Sequence, residues 1–160
     1  MKTLFILRHG KSSWEHIGLS DFERPLLKNG IERTEKVGEF LVSNGIHIQR
    51  ILSSPATRAK QTAEVIAQFL KTTIEIDNKL YPGDIDDLLS VIYSQPDHCN
   101  SLMLVAHNPG LTSLVNELMN PRYDWLSTSG LVVGKFDISQ WNEINITRLV
   151  DLNIVAPKEF

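Results

Sequence analysis

Apolar residues follow two alternating rhythms along the chain. Leu4 to Leu7, Arg50 to Ser53 and Leu102 to Ala106 are short runs without helical spacing. Such runs read as strands buried on both faces. Between them the spacing turns helical. From Gly30 to Asn44, the positions Ile31, Val37, Phe40 and Leu41 predict a helix, and Asn44-Gly45 supplies its stop. Pro55 suits a first helical turn, and Ala63, Ile66, Ala67 and Leu70 continue that helix as an apolar stripe. Further helices are predicted over Asp84 to Ser94 and Pro109 to Met119, and a short strand over Thr73 to Ile76. Leu131 to Ile138 and Ile144 to Leu152 read as two neighbouring strands, suited to an antiparallel edge. Residues 11 to 24 are polar and irregular, and Pro25 closes that loop.

Strands that alternate with helices predict an α/β fold: a three-layer α/β/α sandwich with a mostly parallel central sheet and an antiparallel edge strand. The 160 residues are expected to form one domain over 1–160, with no repeat, linker or low-complexity segment. Hydrophobic content of 42% and charged content of 22% are ordinary for a globular protein. A net charge of -3 gives no basic surface for nucleic acid. Cys99 is the single cysteine, so no internal disulfide can form and a reducing compartment fits. The apolar stretch before Arg8 is too short for a signal-peptide core, and no run reaches membrane-spanning length. A cytoplasmic protein without membrane or nucleic-acid partners is expected.

The strand exits carry the chemistry. The first strand ends in Arg8-His9-Gly10, the second in SSPATRAKQTA at 53–63 with Arg58, and the third in HNPG at 107–110. Ligands in open α/β sheets bind where parallel strands exit. Two histidines and two arginines would meet there, together with helix N-termini near Pro55 and Pro109. That is the composition of a phosphate site. Singly, each residue has a plainer use: Arg8 as a solvated loop charge, Arg58 on an exposed helix face beside Lys60 and Glu64, His107 as a core histidine capping a helix. The combination is what points to a site. Metal binding is the competing use of paired histidines. There is no His-x-x-x-His spacing and no Cys/His cluster, and His16, His47 and His98 are scattered. Neither a metal nor another cofactor is expected.

LRHGKSSW at 7–14, SSPATRAKQT at 53–62 and HNPG resemble the histidine phosphatase superfamily, the phosphoglycerate-mutase-like fold. The resemblance runs in order from Leu7 to about Leu111, and DFERPLLKNG at 21–30 is similar to a segment of the SixA-type phosphohistidine phosphatases. It implies that His9 is the nucleophile and becomes a phosphohistidine, while Arg8, Arg58 and His107 hold the phosphoryl oxygens. The ring of His9 must then be held with its attacking nitrogen deprotonated, and a backbone carbonyl is the expected holder. Three positions depart from the family pattern. Lys11 replaces a Glu or Gln, and Glu15 replaces an Asn that would donate to phosphate, leaving Ser12 or Ser13 to compensate. Leu27 replaces a Thr, so the following helix is expected to lack its side-chain cap.

A general acid is harder to assign. In LYPGDIDDLL the first candidate is Asp84, with Asp86 and Asp87 behind it, and Asp84 serves equally as a helix N-cap. Asp21, near the RHG loop on the SixA-type match, is the other candidate, and Arg24 would pair with it or bind substrate. A phosphoramidate releases an imidazole, which is far less basic than an alkoxide and needs less help. The segment between Arg58 and His107 also leaves little room for a lid. Both features suit a phosphatase acting on phosphohistidine of a protein, such as a histidine-containing phosphotransfer domain. A phosphatase for sugar phosphates or nucleotides, and a non-catalytic phosphate-binding module, are the alternatives.

Overall fold

The expected alternation of strand and helix is present in the computed structural model, which describes residues 1–15 and 18–156. The strands are β1 (Lys2–Arg8), β2 (Arg50–Ser53), β3 (Ile74–Ile76), β4 (Ser101–Ala106), β5 (Leu131–Phe136) and β6 (Leu149–Val155). The helices are α1 (Lys28–Ser43), α2 (Thr57–Leu70), α3 (Ile85–Tyr93) and α4 (Gly110–Met119). They build one six-stranded sheet in the order β3-β2-β4-β1-β5-β6. β3, β2, β4 and β1 are mutually parallel, β5 runs antiparallel to β1, and β6 antiparallel to β5. His16 lies outside the described residues.

Period-two alternation divides the core between the two faces of the sheet. Leu4 and Ile6 of β1 and Leu102, Leu104 and Ala106 of β4 pack with Leu88 and Ile92 of α3 and Leu114 and Leu118 of α4. Phe5 and Leu7 of β1 and Met103 and Val105 of β4 pack with Val37 and Leu41 of α1 and Ala63 and Ile66 of α2. The central runs are apolar throughout because both of their faces are covered.

Two expectations need correction. The last strand begins at Leu149, not Ile144, because Trp141–Glu143 and Ile146–Arg148 form short 3₁₀ turns. Glu143 accepts the backbone N–H of Gln140 at 2.7 Å, and Asn145 accepts that of Thr147 at 2.9 Å. Trp141 and Ile144 are buried from those turns, and their apolar character mimics a strand. The preceding strand also ends earlier than expected, at Phe136. The missing cap at Leu27 is as expected: this N-cap residue of α1 makes no side-chain capping hydrogen bond.

Candidate active site

β2, β4 and β1 are parallel neighbours, so their exits lie side by side. A cavity of about 410 Å³ opens there, and its wall includes Arg8, His9, Arg58 and His107. The loop after β1 is pinned from several sides. His9 donates its backbone N–H to Ala106 (3.2 Å), and Gly10 donates to Thr62 Oγ1 (2.9 Å) on α2. The Lys11 carbonyl lies so close to Gly30 that an added Cβ there would sit 2.3 Å from it. Gly30 therefore admits the loop against the start of α1.

His9 is 6% exposed. Its Nδ1 lies 2.7 Å from the Gly10 carbonyl oxygen, an acceptor that only a protonated Nδ1 can satisfy. The lone pair is thereby placed on Nε2, and Arg58 Nε donates toward that nitrogen at 3.4 Å. Burial lowers the His9 pKa to about 3, reinforced by His107, Arg58 and Arg8 and opposed by the Gly10 hydrogen bond. His107 packs beside it, ring centroids 5.0 Å apart, with its Nε2 2.7 Å from Ser54 Oγ. Burial, then Arg58, lowers the His107 pKa to about 4. Both imidazoles are neutral at pH 7, so the cationic charge of the cavity comes from Arg8, Arg24, Arg58 and Lys11.

Arg8 donates to the Leu126 carbonyl at 3.0 Å, and burial followed by the nearby Arg58 lowers its pKa from the usual arginine value. Among the described residues, Arg8 Nε and His107 Nδ1 are buried without a hydrogen-bond partner. Buried polar atoms are almost always paired, so both nitrogens keep hydrogen-bonding capacity that no other protein group uses.

Asp21 and Arg24 of the polar loop belong to the same wall. Arg58 donates to the Asp21 backbone carbonyl at 2.6 Å and to its Oδ2 at 3.1 Å. Arg24 reaches Oδ1 at 3.1 Å and also donates to Ser12 Oγ at 2.9 Å. Tyr81 donates its hydroxyl to Oδ2 at 2.8 Å. Burial works to raise the Asp21 pKa, but Tyr81, Arg58 and Arg24 together outweigh it and hold the carboxyl below its ordinary value. Asp21 is thus an ionised anchor for two arginines, not a protonated acid.

Asp84 is not brought to this wall. Its carboxylate accepts the Asp87 N–H at 2.8 Å and caps α3, the plainer of its two expected uses. Among the described residues of the cavity wall, Asp21 is the one that carries a carboxyl group. Sequence reasoning also passed over Tyr81, which lies in the same LYPGD stretch. Besides bonding Asp21, it stands edge-on to His107 with centroids 5.3 Å apart. Its loop is pressed onto the start of α4, where a Cβ on Gly110 would lie 1.9 Å from the Gly83 carbonyl. Ser54 and Trp14 were missed too. The signal for Ser54 was its place in SSPATR, directly at a strand exit.

A model of the histidine phosphatase superfamily (branch 1) matches residues 4–88. The chain belongs to the histidine phosphatase superfamily. That match contains Arg8, His9, Asp21, Arg24 and Arg58; the fold adds His107 from β4 to the cavity of this superfamily member. Among its relatives is the phosphohistidine phosphatase SixA of Escherichia coli, 30% identical over 119 residues, covering 72% of this chain and 73% of SixA. An uncharacterised chloroplastic protein of Arabidopsis thaliana is 33% identical over 121 residues, 68% of this chain, and there the match spans 55% of the relative's length. A structure from Agrobacterium tumefaciens that carries the SixA name superposes with a TM-score of 0.84 at 25% identity, covering 98% of each chain. The α/β fold with its six-stranded sheet is that of the superfamily. Among the described residues, no helix is long and apolar enough to cross a membrane.

Proposed function

We propose that this chain is a phosphohistidine phosphatase that works through a covalent intermediate on His9. The observation that carries the reading is the 2.7 Å contact between His9 Nδ1 and the Gly10 carbonyl. It leaves Nε2 with a free electron pair inside a cavity of arginines. The Nε2 pair attacks phosphorus, the P–N bond to the substrate imidazole breaks, and that bond's electrons return to the imidazole nitrogen, which takes a proton from solvent. Water then attacks the phosphorus of phospho-His9. Inorganic phosphate leaves, and the His9 nitrogen regains its electron pair.

Arg8, Arg58 and His107 bind the phosphoryl oxygens in this scheme. Ser54 Oγ accepts the Ala56 N–H at 3.1 Å and has a proton of its own to give. With that proton directed at His107 Nε2, the His107 proton sits on Nδ1, the unpaired nitrogen, and donates to phosphate. Ser12, bound to Arg24, and Arg24 itself extend the oxyanion site at the mouth. No metal is required where arginines neutralise the phosphoryl charge.

The state of Asp21 favours phosphohistidine over a phosphate ester. An ester oxygen leaves as an alkoxide and needs a proton donor. The carboxyl in the cavity wall is ionised and bound to two arginines and a tyrosine. An imidazole leaving group does without it. With the phosphohistidine phosphatase SixA among its relatives, the partner in this reading is a protein phosphorylated on histidine, such as a phosphotransfer domain, and the place of action is the cytoplasm, where the lone Cys99 stays reduced.

A substrate panel tests this reading. A histidine-phosphorylated protein is compared with p-nitrophenyl phosphate, a sugar phosphate and a nucleoside monophosphate. The proposal expects kcat/KM highest on phosphohistidine. A preference for any of the esters would overturn it.

A further inference from the structure

Exposed aromatic side chains stand around the mouth of the cavity, Trp14 and Phe22 on the loop after β1 and Trp125 on the loop after α4. Trp14 is 79% exposed, Trp125 54% and Phe22 38%. Large apolar groups gathered at the edge of a site are the usual mark of a contact surface, and tryptophan and arginine dominate binding energy at such surfaces. None of the three is loose. The Arg24 guanidinium lies 3.4 Å from the Trp14 ring centroid, and that of Arg8 lies 5.8 Å from the Trp125 centroid. Phe22 stands edge-on to Tyr81 with centroids 5.1 Å apart. Each ring is thus held by a residue of the cavity wall and keeps another part in solvent. Its order is imposed before any partner arrives, which lowers the entropy cost of docking.

Trp125 and Phe22 do not themselves line the cavity. A small phosphate compound seated among Arg8, Arg58 and His107 fills the cavity without covering them. A protein whose phosphohistidine reaches the same floor brings its own surface down on the mouth and covers both. Charge fixes the kind of partner. The cavity wall sets Arg8, Arg24, Arg58 and Lys11 against the single carboxylate of Asp21, so the group that enters is a dianion, and the surface around it meets aromatic rings.

We propose that Trp125 and Phe22, with Trp14 at the edge of the cavity, form a docking rim for the protein surface that surrounds a phosphorylated histidine. This rests on the function proposed above. The rim decides between phosphohistidine in a protein and the same group free in solution. Trp14 acts on both, since it also forms part of the cavity wall.

The test compares two substrates of one chemistry: a histidine-phosphorylated phosphotransfer domain and free phosphohistidine. Wild-type protein is expected to have the higher kcat/KM on the domain. Trp125→Ala and Phe22→Ala are each expected to raise KM for the domain, by about fivefold or more for the tryptophan. Both are expected to leave kcat/KM for free phosphohistidine within about twofold. A wild type with no preference for the domain, variants that match wild type on it, or variants that lose equally on both substrates would each overturn the rim. A wild type inactive on both substrates would instead bring down the proposed function, and the rim with it.

Discussion

Arg58 is bound twice by Asp21, through the backbone carbonyl at 2.6 Å and through Oδ2 at 3.1 Å, while its Nε lies 3.4 Å from His9 Nε2. The arginine is thereby aimed by a residue 37 positions away in sequence. In the proposed function Asp21 thus places a phosphate-binding cation and also sets a negative charge beside the site of the phosphoryl group.

Replacing Asp21 by Asn separates these two effects. Without the carboxylate, repulsion of phosphate falls, so inorganic phosphate is expected to inhibit at lower concentration. Arg58 loses the ionic one of its two contacts with Asp21, and a clamp out of position costs about tenfold or more in kcat. Steady-state kinetics on phosphohistidine with phosphate as inhibitor read both. An unchanged kcat would show that Asp21 does not act through Arg58, and phosphate inhibition no stronger than in wild type would contradict the repulsion.

Acid stability follows from the two histidines. Their folded pKa values, about 3 for His9 and about 4 for His107, lie below the 6.5 of a free imidazole. Between those values the unfolded chain binds more protons than the folded one, so stability is full above pH about 6.5 and drains away as pH falls toward 4. The melting temperature of wild type is expected to drop over that range. His9→Ala, which removes one of the two groups, is expected to drop less steeply. A wild-type melting temperature flat from pH 6.5 to 4.5 would contradict the burial of neutral imidazoles.

Gly110→Ala tests how Tyr81 is placed. The new Cβ would lie 1.9 Å from the Gly83 carbonyl, so the 81–83 loop or the start of α4 must move. A loss of about 1–3 kcal/mol in stability is expected by chemical denaturation. Activity is expected to fall further than for Tyr81→Phe, because the latter removes the hydroxyl from Asp21 but leaves the ring beside His107. Wild-type stability for Gly110→Ala would show that the approach is not tight.

Chelation is a simpler check. Treatment with EDTA is expected to leave the rate on phosphohistidine unchanged, because arginines carry the neutralising charge. Loss of activity that a divalent cation restores would contradict that account.

The strand runs and the quartet of Arg8, His9, Arg58 and His107 were legible because each run is buried on both faces and each residue stands at or just past a strand exit. The sheet order then made three exits neighbours. The last strand was misplaced because Trp141 and Ile144 are buried from turns, and burial without period gives no sign of which element supplies it. Asp84 was ambiguous for a local reason, since a carboxylate before an apolar helix serves equally as a cap. Tyr81 could not be found from its own neighbourhood. Its partners Asp21 and His107 lie 60 positions before it and 26 after it, and only the press of Gly83 on Gly110 brings it to them.

Trapping the phosphoenzyme tests the central claim most directly. Wild-type protein is mixed with ³²P-labelled phosphohistidine substrate, quenched in alkali within milliseconds and digested for peptide analysis. The account predicts transient, acid-labile label on His9, absent from His9→Ala, in a variant that still binds phosphate through Arg8, Arg58 and His107. Turnover without label on His9, or turnover by His9→Ala at the wild-type rate, would contradict covalent catalysis by this histidine.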